Sequence, residues 1–130
     1  MQFIIDASEF PLVRITYPAE ASYDEIDQYR DQLLALHRER GSFYAICDIN
    51  AVSVTKASAK HRAKMSEAID SVAGQGVLLA ETVVADGAPR RGLVKAYEWI
   101  RGSKHHPFKC VKSVEEAEAF IAQLRAQPQA

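Results

Sequence analysis

The apolar positions of this chain alternate between runs that suit strands and spacings that suit helices. Phe3-Ile4-Ile5 and Leu12 to Tyr17 read as two strands, with Ala7-Ser8-Glu9 between them as a hairpin-like connection and Pro18 as a stop. Ile26, Tyr29, Leu33 and Leu36 then recur at helical spacing. Ser22 and Glu25 stand as S-x-x-E at the start of that helix, where each side chain can satisfy an orphan backbone N–H, and Gly41 is a natural stop. The uninterrupted run Phe43-Tyr44-Ala45-Ile46-Cys47 suits a strand covered on both faces. A second helix is predicted over 55–73, capped by Thr55, with Ala57, His61, Met65, Ile69 and Val72 on one face and Gly74-Gln75-Gly76 at its end. Leu78-Leu79-Ala80 leads into a strand at Thr82-Val83-Val84-Ala85. Pro89 suits the first turn of a third helix, whose inner face is Leu93, Ala96, Tyr97 and Ile100 and whose end is Gly102. Phe108 to Val111 is a last short strand. Ser113 and Glu116 repeat the S-x-x-E pattern before a helix with Val114, Ala117, Phe120, Ile121 and Leu124 inward, and residues 126–130 read as a frayed tail.

The predicted order is β-β-α-β-α-β-α-β-α. Strands that alternate with helices need crossover connections, so the expected class is α/β: a mixed, mainly parallel sheet of about five strands with four helices. The first strand is expected to run antiparallel at an edge. No repeat or linker divides the chain, so residues 1–130 are expected to form one domain.

Composition narrows the class of function. Hydrophobic residues are 48% and charged residues 25% of 130, so a packed core is expected without metal or disulfide staples. The net charge of -1 argues against a dedicated nucleic-acid binder. Acids prevail in residues 1–54 and bases in 55–112, a distribution that solvated helix faces explain. Cys47 and Cys110 each lie in an apolar strand-like run and lack metal-ligand spacing, so neither a disulfide framework nor a metal site is expected. No basic-then-apolar leader opens the chain and no apolar run approaches the ~20 residues of a membrane span. A cytoplasmic protein without an integral membrane segment is the expectation.

Catalytic motifs do not stand out. There is no G-x-S-x-G, H-E-x-x-H or C-x-x-C, and Gly74-Gln75-Gly76 lacks the dinucleotide-binding pattern, so no cofactor is expected and the balance leans away from an enzyme. His105 and His106 precede Pro107 in a loop and read as an exposed pair, while His61 reads as a core or rim residue of the second helix. The segment Asp86-Gly87-Ala88-Pro89-Arg90-Arg91 joins a strand to a helix N-terminus, where free N–H groups favour anions and the arginines add positive charge. In open α/β sheets, ligands and partners meet the carboxyl ends of the parallel strands. The expected binding rim is therefore Asp48, Asn50, Ser53 and Thr55 after the third strand, with Asp86, Gly87, Arg90 and Arg91 after the fourth. Trp99 falls at the margin of the third helix's inner face and is expected to be partly exposed, contacting a partner or a second copy in a homodimer.

The element order, together with Arg91-Gly92-Leu93-Val94, Trp99-Ile100-Arg101, Pro107 to Val111 and Ser113-Val114-Glu115-Glu116-Ala117 ahead of Phe120-Ile121, resembles the STAS domain of bacterial anti-sigma-factor antagonists, in its small stand-alone SpoIIAA-like (STAS/SEC14-like) variant. The resemblance covers nearly the whole chain. It implies a non-enzymatic regulatory domain that acts by binding a partner protein. Its alternative, by the SEC14-like likeness, is a binder of a small anion, nucleotide or lipid headgroup. Classical members switch binding by phosphorylating a Ser or Thr in a D-S/T-S/T-G-like motif after the third strand. Here Asp48 matches, but Ile49, Asn50 and Ala51 replace the hydroxyl residues and glycine. Ser53 and Thr55 are the nearest hydroxyls, and no phosphoswitch is expected.

Overall fold

The structure is a computed structural model. It describes residues 2–53, 58–101 and 106–127, with the side chains of all of these except 93 and 96–101. The elements are β1 (Ile4–Glu9), β2 (Leu12–Thr16), α1 (Tyr23–Arg40), β3 (Phe43–Asp48), α2 (Ala59–Gly74), β4 (Leu78–Val84), α3 (Ala88–Arg101), β5 (Phe108–Val111) and α4 (Val114–Ala126). The class is the α/β class expected, with five strands and four helices in the expected order. β1 pairs with β2 antiparallel, and β2 to β5 run parallel to one another.

The five strands lie side by side in chain order. Each crossover therefore steps the same way across the sheet, and right-handed crossovers in one direction put their helices on one face. The core follows this rule. Val13, Ile15, Phe43, Ala45, Cys47 and Val83 of the sheet pack with Ile26, Tyr29 and Leu33 of α1, Met65, Ile69 and Val72 of α2, and Val94 of α3. A second cluster forms on the opposite face, where Ile46, Ala80, Val84 and Val111 meet Ala117 and Ile121 of α4. Both faces of β3 and β4 are thus covered, which explains why β3 reads as an unbroken apolar run.

Local chemistry sets the ends of the helices. Ser22 Oγ accepts from Glu25 N at 3.1 Å while Ser22 N donates to Glu25 Oε1 at 3.0 Å, so the first capping box is complete. α1 stops at Gly41, whose φ of 95° lies in the left-handed region that favours glycine. At α4, Ser113 Oγ caps Glu116 N at 3.2 Å, but the Glu116 carboxylate reaches one residue further back, to Lys112 N.

Several expectations need correction. β1 continues through Ala7-Ser8-Glu9, so the turn falls at Phe10-Pro11. The cap of α2 is Ser58, whose Oγ accepts from His61 N at 3.2 Å, and not Thr55. With the helix starting at Ala59, His61 sits in its first turn and is exposed, its ring edge-on to Tyr23 at 4.9 Å. β4 runs through Glu81 without a break. Thr55, Gly102 and the side chain of Trp99 lie outside the described residues. Among the described residues, no helix is long and apolar enough to cross a membrane.

Candidate functional site

A cavity of about 540 Å³ opens on the three-helix face of the sheet. Its walls come from segments far apart in sequence: Phe3, the 17–22 turn and the first turn of α1, the 49–53 turn after β3, α2 from His61 to Ile69, and Glu81, Val83, Val94 and Phe108. The parallel topology makes this inevitable. Each βα turn lies at the carboxyl end of its strand, and α1, α2 and α3 all start from that end on one side. The space between their first turns and the sheet is the cavity.

Most of the wall is apolar. Ile26, Ile49, Met65, Ile69, Val83 and Val94 line it with the rings of Phe3, Tyr17 and Phe108. Phe3 stacks on Tyr29 at 4.2 Å, and Tyr17 meets both rings edge-on. The Tyr17 and Tyr29 hydroxyls are 3.2 Å apart. Burial pushes the Tyr17 phenol well above its ordinary range, and the nearby Tyr29, Cys47 and Glu81 push it further. Burial likewise pushes Tyr29 up. Both phenols therefore stay protonated as hydrogen-bonding groups.

The exception in this wall is Glu81, only 3% exposed on the central strand β4. The β3–β4 register places it opposite Ala45, and the β4–β5 register places it opposite Phe108, so its side chain points to the three-helix face. His106 Nε2 lies 3.2 Å from Glu81 Oε1, and Cys47 Sγ lies 3.9 Å from Oε2. A buried carboxylate is tolerable only with donors on its oxygens, and here an imidazole N–H and a thiol each address one of them. With the carboxylate accepting, Nε2 is the donor, and the buried Nδ1 has no hydrogen-bond partner among the described residues.

His106, expected in an exposed loop pair, is instead 8% exposed and the carboxylate's partner. Sequence reading passed over both members of this pair. One signal for Glu81 was present: a single acid inside the otherwise apolar stretch Leu78 to Ala85. None pointed to His106, because its burial depends on where β5 lies against β4.

The expected rim is partly assembled. Asp48 Oδ1 accepts from Asn50 N at 2.9 Å, and Asn50 Oδ1 accepts from Asp86 N at 2.7 Å, which ties the turns after β3 and β4 together. Gly87, with φ 97°, makes the bend into α3, and its carbonyl accepts from Arg91 N. Arg90 and Arg91 are half-buried in the first turn of α3. Of the expected rim residues that the structure describes, only Ser53 lines the cavity. The other polar groups described in the wall are Glu20, Ser22, Glu25, His61 and Arg62. The Ser22 backbone N–H, donated to the Glu25 carboxylate, holds Glu25 below its ordinary range. Among the described residues, no group of three or more His, Cys, Asp or Glu is placed to hold a metal ion. No protein family, curated protein or solved structure matches this chain.

Proposed function

We propose that this protein binds a small, largely apolar molecule in the cavity between the sheet and the first turns of α1, α2 and α3. The observation that carries the reading is the cavity itself. Its volume of about 540 Å³ lies within the ordinary range of ligand sites, and an apolar wall with a few convergent polar groups is their usual chemistry. The STAS-type likeness enters here as a scaffold whose SEC14-like branch takes ligands. Partner-protein binding rests on that likeness alone: the large exposed hydrophobics described are Ile4, Tyr23 and Leu79, on three different elements.

The cavity is tested with N-phenyl-1-naphthylamine, a neutral probe whose emission rises in apolar surroundings. One saturable site is expected on the native protein. Val83 projects from the cavity floor, so Val83→Phe fills the space and abolishes the signal while circular dichroism stays unchanged. An absence of saturable binding, or undiminished binding to a folded Val83→Phe protein, refutes the reading.

A further inference from the structure

The rings of Phe3, Tyr17 and Phe108 all take part in the cavity wall. Resting on the ligand-binding reading above, we infer that the cavity takes a planar aromatic molecule, stacked on the open face of Phe3.

One face of Phe3 is already occupied. It stacks on Tyr29, with ring centroids 4.2 Å apart and planes 11° from parallel. Phe3 lines the cavity and Tyr29 does not, so the cavity lies on the side of Phe3 away from Tyr29. Tyr17 does not cover that side. Its centroid is 4.9 Å from Phe3 and 5.5 Å from Tyr29, whereas a ring across Phe3 from Tyr29 would stand from Tyr29 by nearly the sum of the two Phe3 distances. Tyr17 therefore lies beside the stack, its plane at 75° to Phe3, and the two rings form a corner that opens on the cavity.

A flat ring entering this corner extends the Tyr29–Phe3 stack by one member and meets Tyr17 at an angle. Offset stacking and edge-to-face contact are the two geometries aromatic pairs prefer, and they add to what burial of area alone supplies. Met65 lines the same cavity from α2, and a thioether is a favourable neighbour for a ring edge. A saturated ring of the same outline buries similar area, but it is thicker and has no π face, so it gains neither term. In a close-packed core both faces of a ring are covered. Phe3 is half-buried and its stack is one ring short on the side of the cavity.

The test uses 2-naphthylmethanol and its saturated counterpart, decahydro-2-naphthylmethanol, both neutral, titrated by calorimetry into the native protein and into Phe3→Leu. Comparing the ratio of the two affinities between the two proteins cancels the difference in hydrophobicity between the probes. The preference for the aromatic probe is expected to be about three- to tenfold greater in the native protein than in Phe3→Leu. In the native complex the naphthyl protons are expected to move upfield and to show nuclear Overhauser effects to the Phe3 ring protons. A ratio unchanged in folded Phe3→Leu, or binding of the saturated probe alone, overturns aromatic selection while the cavity remains a ligand site. If neither probe binds the native protein, both conclusions fall. Should Phe3→Leu not fold, the native complex decides by itself: naphthyl protons without Overhauser effects to the Phe3 ring refute the stacking.

Discussion

At the scale of single residues, the buried pair of Glu81 and His106 is the most consequential feature, with each side chain 4% exposed. Removing the imidazole takes a donor from a buried charge. His106→Ala is expected to destabilise the fold by about 1–3 kcal/mol, read from the urea midpoint. Adding Glu81→Gln to that variant should restore part of the loss, because an amide is not an uncompensated charge. Asn50 shows a different economy. In the turn after β3, its side-chain carbonyl holds Asp86 N at 2.7 Å and thereby joins two turns. The intact mass of protein from its native cell is expected to show no dominant species one phosphate heavier. Such a species, mapped to Ser53 or Thr55, overturns that expectation.

Among the elements, α1 illustrates how local and tertiary terms combine. Its capping box is local, and Ser22→Ala is expected to cost about 1 kcal/mol in thermal or urea unfolding. Its docking to α2 is tertiary and electrostatic. Lys64 Nζ of α2 lies 2.6 Å from Asp27 Oδ1, and Arg30 Nη1 lies 3.2 Å from the same atom. The Lys64 hydrogen bond holds the Asp27 carboxyl below its ordinary range, with the charges of Lys64 and Arg30 adding to it. Because the folded-state value is depressed, this contribution is present above the ordinary carboxylate pKa and is lost as pH falls through the depressed one. Stability measured against pH should therefore fall less steeply on the acid side in Asp27→Asn than in the native protein. An unchanged acid limb would show that Asp27 does not contribute.

For the whole molecule, the sequential strand order decides both stability and function. β3 and β4 are covered on both faces, whereas β1 is an edge strand that alternates between half-buried and exposed positions. Amide hydrogen exchange is expected to be slowest in Phe43–Asp48 and Leu78–Val84 and markedly faster in Ile4–Glu9, since opening of the central strands requires global unfolding. Among the described residues α4 alone packs on the opposite face, and its Ala117 is fully buried. Ala117→Leu is expected to overpack that face by about 1–3 kcal/mol while leaving probe binding in the cavity unchanged, because the sheet separates the two. Loss of binding in a folded Ala117→Leu protein would show that the faces are coupled.

Periodicity and capping chemistry are local, and so the sequence by itself determined the α/β class, the order of nine elements, the strand burial of Phe43 to Cys47 and the caps at Ser22 and Ser113. Boundaries were less legible where neighbours compete: Thr55 and Ser58 are both good caps in sequence, and the fold uses Ser58. The rim was half legible, since topology alone predicts that the turns after β3 and β4 meet, as Asn50 and Asp86 do. The cavity was not. A side chain's partner depends on register, and the β3–β4 register shifts between Phe43 and Tyr44 before Glu81 comes opposite Ala45. The contact of Glu81 with His106, 25 residues later, and with Cys47, 34 residues earlier, exists only once three strands are in place. A lone acid in an apolar run announces that something must pair with it, and only the tertiary structure decides what.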